Sequence, residues 1–174
     1  MTEQELKEYI IRNYPKENES VEWKNYSNLK NTLCGHEGDD VISYVSALAN
    51  MNGGALVIGV ADKTLDVIGI QQFGSYTLES AKYRICEKCQ HIDSERLEII
   101  ELNTDDTDKG VWIINIPKHE TRLPVYAHNK AWQRIGESLF AMKNNRLQAI
   151  LSEIAIADDW SVKVVEGASI SDLD

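Results

Sequence analysis

The chain has 174 residues, 43% hydrophobic and 26% charged, with a formal net charge of −10, a length sufficient for one domain with its own core. No apolar run approaches the ~20 residues of a membrane-spanning helix, and the opening MTEQELKEYIIRNYP carries acids where a signal peptide needs an apolar run, so a cytoplasmic chain without a membrane partner is expected. The acidic balance counts against a polyanion partner, and three cysteines are too few for a disulfide framework.

Thr2 and Glu5 form a T-x-x-E capping box that predicts a first helix with Leu6, Tyr9 and Ile10 on its apolar face, ending before Pro15. SVEWK, residues 20–24, alternates as a strand, with Val21 and Trp23 on a dry face and Ser20, Glu22 and Lys24 on the wetter one. Residues 25–38 read as loop. Asp39 and Asp40 start a helix over 39–50 carrying Val41, Val45, Leu48 and Ala49, and NGG stops it. ALVIGV, residues 55–60, reads as a strand buried on both faces. ADKTLD links it to VIGI as a predicted hairpin.

A helix is predicted over 76–91. In it Cys86 and Cys89 share an apolar pattern with Leu78, Ala81, Ile85 and Ile92, which favours packing over a zinc site with His91, Cys34 and His36. RLEIIEL and VWIINIP predict a hairpin around an acidic link, PVYA and AWQRIG a second one around HNK, and residues 139–155 a last helix. The order predicts an α+β fold with a mixed, mostly antiparallel sheet and flanking helices. Residues 1–156 are expected to form the domain. The acidic, aperiodic stretch 157–174 is expected to be a linker in a truncated chain, leading to a downstream domain.

The charge is uneven. Residues 117–147 hold Lys118, Arg122, Lys130, Arg134, Lys143 and Arg146 against Glu120 and Glu137, with Tyr126, Trp132 and Phe140 among them. Such a segment reads either as a local anion-binding face or as an ordinary solvated surface. There is no P-loop, dinucleotide fingerprint or Ser-His-Asp signature. What remains is acidic: Glu17, Glu19 and Glu22 lie on or before the first strand, and Asp62 lies just past the second. If these strands run side by side, the carboxylates converge. Such a cleft suits Mg²⁺ or Mn²⁺ and phosphodiester hydrolysis, with Lys24 holding a phosphate. The other reading is a solvated Glu22–Lys24 pair.

ENESVEWK, ALANMNGGALVIGVADKTLDVIGI and LPVYAHNKAWQRIG, with the closing DDWS, together resemble the Schlafen-type AlbA-like domain over roughly residues 17–140. The resemblance implies a mixed α/β fold and a connection to nucleic acid, as in bacterial transcriptional regulators, where the domain is N-terminal. In the vertebrate branch, members that cleave tRNA and rRNA use two glutamates and an aspartate. By resemblance these map to Glu17, Glu22 and Asp62, in metal binding and water activation. Ala61 stands where the pattern has a second acid, and KTLD replaces a turn that often holds glycine.

Three functions therefore stand beside one another. The first is a module that binds DNA or RNA through Lys24, Lys118, Arg122, Lys130 and Arg134, with Trp132 as a stacking surface. The second is a metal-dependent ribonuclease using Glu17, Glu22 and Asp62. The third is a non-catalytic interaction domain that forms a homodimer.

Overall fold

Thr2 caps the first helix, α1 (Glu3–Asn13), through both hydrogen bonds of the capping box, and Leu6 and Ile10 are fully buried beneath it. Burying each such side chain contributes about 1.5–3 kcal/mol. The computed structural model describes residues 1–15, 17–29, 32–70 and 75–154, so the boundary at 156 and the stretch 157–174 lie outside the described residues.

Strand β1 (Val21–Lys24) runs parallel to β2 (Gly54–Ile58), with Glu22 opposite Leu56 and Lys24 opposite Ile58. A 3₁₀ turn (Tyr26–Leu29) and helix α2 (Val41–Ala49) connect them. Asp40 caps α2 through Ser43 and also pairs with Nε2 of His128 at 2.7 Å, which ties the helix start to a distant hairpin. Past its C-terminus, Gly53 adopts φ +75° and donates its N–H to Leu48 O, a left-handed exit that glycine tolerates without strain.

After helix α3 (Leu78–Lys88), strands β3 (Glu98–Asn103) and β4 (Gly110–Ile116) form the expected hairpin, which joins antiparallel to β2. The four-stranded order is β1-β2-β4-β3. A separate three-stranded sheet contains β5 (Tyr126–Ala127), β6 (Lys130–Ile135) and β7 (Ser138–Ala141), followed by α4 (Asn144–Leu151). The turn between β5 and β6 is His128-Asn129, both at positive φ, as two-residue hairpins require.

The fold is therefore the expected α+β arrangement with a mixed sheet. Strand β2 reads as continuously apolar because both of its faces are covered. Ala55 and Val57 pack with Leu6, Ile10 and Trp23 under α1. Leu56 and Ile58 pack with α2, α3, Val125 and Trp132 on the other side.

Two expectations are corrected. The predicted hairpin partner VIGI contributes only an isolated bridge, Val60–Val67, because Gly59 and Gly69 at positive φ turn the backbone out of the ladder. The last helix does not begin at 139. Gly136 at φ +59° turns the chain back, and residues 138–141 pair with β6 before α4 starts.

Candidate functional site

The alternation of β1 places Glu22 and Lys24 on one face, as expected. That face is not wet. It lies under α2 and β6, and Glu22 is 1% exposed. A carboxylate so buried needs cations, and two reach it. Lys24 Nζ lies 2.7 Å from Oε1, and Arg134 from β6 forms an ion pair with Oε2. The Tyr44 ring from α2 faces both, with Lys24 Nζ 5.5 Å and Arg134 Cζ 5.9 Å from its centroid, within cation–π range. Burial alone would push the Lys24 ammonium down, but the hydrogen bond and charge of Glu22 outweigh it and hold it above its ordinary value. Arg134 Nη2 also donates to Asn18 O at 3.3 Å, and the Nε and Nη1 groups have no hydrogen-bond partner among the described residues.

Glu17 and Asp62 stand at the edges of this cluster. Glu17 Oε1 accepts the Trp23 backbone N–H at 3.1 Å. Asp62 accepts from Asn25 N at 3.2 Å and from Asn28 Nδ2 at 2.8 Å, so it fastens the 3₁₀ turn to the end of β2. Burial, then the charge of Glu22, pushes the Glu17 carboxyl up. The folded protein therefore disfavours ionised Glu17, and its contribution to stability is lost as pH rises through the carboxylate range. Glu17→Gln keeps the acceptor for Trp23 and removes the charge. It is expected to raise Tm at pH 7, with the gap closing in acid as Glu17 protonates. A lower Tm at pH 7 would show that the carboxylate stabilises the fold.

These three acids do not make a metal shell. Glu22 is paired with two cations, Glu17 holds a backbone N–H, and Asp62 holds an amide on each oxygen. Among the described residues no group of three or more His, Cys, Asp or Glu is placed to hold a metal ion. The donor set does not fit Mg²⁺ or Mn²⁺. Zinc at the cysteines fails the same test. Cys89 is buried in the α2–α3 core with its Sγ 3.7 Å from Ile42 O.

The expected basic face divides. Trp132 is 7% exposed and donates its indole N–H to Ala127 O at 2.9 Å. It is a core residue, not a stacking surface. Arg134 is buried and Lys24, its side chain 18% exposed, is held by Glu22, so both belong to that cluster rather than to an open basic face. Lys130 is exposed but paired with Glu37. Lys118 and Arg122 remain, and they meet where α2 ends.

Carbonyls at a helix C-terminus need donors. Arg146 donates Nε and Nη2 to Asn50 O at 2.9 and 2.6 Å. His119, whose side chain is fully buried, donates its backbone N–H and its Nδ1 to Ala49 O, each at 2.9 Å. Its Nε2 lies 2.7 Å from Oε1 of Glu153. Lys118 Nζ stands 3.7 Å from Oε2 of the same residue, and Arg122 Nε donates to its main-chain oxygen at 2.6 Å. Arg96, Lys118, His119, Glu120 and Glu153 line a cleft of about 450 Å³ here.

Sequence reasoning missed His119 and Glu153, and also Asn50. Asn50 is fully buried in ALANMNGG. Its Oδ1 accepts Val125 N–H at 2.7 Å, and its Nδ2 donates to Val125 O and Trp132 O, each at 2.9 Å. It thereby fixes β5 and β6 to α2. A polar residue at the end of an apolar helix stripe was the available signal.

Residues 17–143 match the family described as Schlafen, AlbA_2. Among solved structures, the DIP2311 protein of Corynebacterium diphtheriae superposes with a TM-score of 0.55 at 20% identity, over 78% of this chain and 28% of that one. The chain thus spans little more than a quarter of that protein. The N-terminal domain of a RecG-related protein from Nitrosomonas europaea gives a TM-score of 0.42 at 19% identity, over 79% of this chain and 91% of that one. No curated protein matches the sequence.

Proposed function

Because the chain belongs to the Schlafen AlbA_2 family, we propose that it is a nucleic-acid-binding module of a bacterial transcriptional regulator, acting in the cytoplasm and joined to a further domain. The observation that supports this reading best is the gathering of Lys118, Arg122 and Arg96 around one cleft at the end of α2, in a chain that is otherwise strongly acidic. These side chains suit phosphate oxygens, and buried Trp132 leaves no stacking platform at the position expected for one. The contact these cations support is to the phosphate backbone of the nucleic acid. Among the described residues no helix is long and apolar enough to cross a membrane.

The test is a titration of labelled single- and double-stranded DNA and RNA at low and moderate salt. Binding that weakens steeply with salt is expected. No binding to any of the four at low salt would overturn the reading. Sedimentation across a concentration range distinguishes it from self-association. The β3 edge exposes Glu98 and Glu101, which disfavours strand pairing between copies, so a monomer is the expected result.

A further inference from the structure

The cleft at the end of α2 is organised around an anion, and the anion it holds is the chain's own Glu153. We infer that this is a phosphate site in which Glu153 stands in for the ligand, so that residues 152–154 close it. The inference deepens the nucleic-acid reading where it identifies the source of the phosphate, and rests on that reading there. The site itself stands on geometry alone.

The donors are built in. Donation to an anion takes the doubly protonated imidazolium: Ala49 O can only accept, so the Nδ1–H of His119 is committed to it, and the backbone N–H of His119 fixes the ring at the same oxygen. This leaves Nε2, on a fully buried ring, aimed at Glu153 Oε1 at 2.7 Å. Lys118 and Arg122 approach from the rim, and Arg96 faces the cleft with its nearest carboxylate partner, Asp93, 4.0 Å away.

A carboxylate underfills these donors. Glu153 satisfies His119 with one oxygen, but its other oxygen is 3.7 Å from Lys118, beyond hydrogen-bond length. Arg122 has to turn to the main-chain oxygen. A tetrahedral phosphate presents more oxygens in the same volume and could engage imidazolium, ammonium and guanidinium together. Glu153 can also leave. It lies past the last residue of α4, Leu151, and its backbone N–H donates to Ile150 O at 3.2 Å, so its side chain can swing out of the cleft by rotation while that last turn is kept. Glu120, also on the cleft wall, is the remaining like charge there and sets a limit on affinity.

The experiment compares wild type, Glu153→Gln, Glu153→Ala and Glu120→Gln, each shown to be folded by its amide spectrum. Inorganic phosphate is titrated while the His119 ring nitrogens are followed by NMR, and a labelled single-stranded RNA is titrated in parallel. Both Glu153 variants are expected to bind phosphate about tenfold more tightly than wild type, since a competing charge-assisted partner is removed. The His119 ring shifts should move on binding. Glu120→Gln makes the same change in charge and should gain clearly less. A gain in phosphate and RNA together supports the site with backbone phosphate as its source. A gain in phosphate without RNA supports the site and overturns the nucleic-acid source. Equal gains for Glu120→Gln and Glu153→Gln, a gain in RNA alone, or no gain at all would overturn the site.

Discussion

Replacing Gly54 with alanine is expected to unfold the domain or to cost at least ~4 kcal/mol, at the upper end of single-substitution effects. A Cβ built there would lie 1.9 Å from Ser20 O, 2.7 Å from Ser20 C and 2.9 Å from Ser20 Cα. All three are backbone atoms, so no side chain can rotate away. The same Ser20 carbonyl accepts the Ala55 N–H at 2.8 Å and opens the parallel β1–β2 ladder. Relief of the clash would separate the strands and carry Glu22 and Lys24 away from Arg134. Gly136→Ala is the control. It also sits at positive φ, but a Cβ there meets nothing within 4 Å, so only the backbone cost of about 1 kcal/mol is expected. Urea unfolding of the two variants measures the difference. Equal midpoints would mean that β1 does not pack on Gly54 as described.

The second large effect is at the Glu22–Arg134 pair. Removing one partner of a buried ion pair leaves an uncompensated charge and costs about 3–5 kcal/mol. Arg134→Met is expected to fall in that range, moderated because Lys24 still reaches Glu22. Glu22→Gln with Arg134→Met should cost less than the sum of the two single changes, since the Glu22–Arg134 ion pair is then removed whole and no buried Arg134 is left unpaired, although Lys24 still loses its partner. Calorimetric Mn²⁺ titration of wild type should give no binding heat. Tight Mn²⁺ binding by wild type that is lost in Glu22→Gln would instead show these acids opening into a metal site.

The elements were largely legible in the sequence because they depend on local pattern. The Thr2–Glu5 capping box, the continuous apolar run of β2 and the His128-Asn129 turn each carry their own signal. Strand β7 was not legible, since its pairing with β6 follows from the turn at Gly136 and competes with the helical spacing of Leu147, Ile150 and Leu151.

The site was less legible for a different reason. Alternation in β1 gives the phase of Glu22 but not what covers that face, and a charged residue in that phase reads as solvated. Its cover comes from Tyr44 on α2 and Arg134 on β6, at contacts that no spacing encodes. Trp132 and Arg134 read as an interface for the same reason. A basic, aromatic segment looks alike whether it faces solvent or closes a core.

The central functional claim places nucleic-acid backbone at Lys118 and Arg122. The salt dependence of single-stranded RNA binding, measured for wild type and for Lys118→Ala with Arg122→Ala, tests it most directly. Each lost phosphate contact should reduce the slope of log K against log salt by roughly 0.7 on a single strand. The double variant is expected to bind more weakly at low salt, with a slope shallower by about 1.4 for its two contacts. An unchanged affinity and slope, in a variant that melts like wild type, would contradict the placement of the interface.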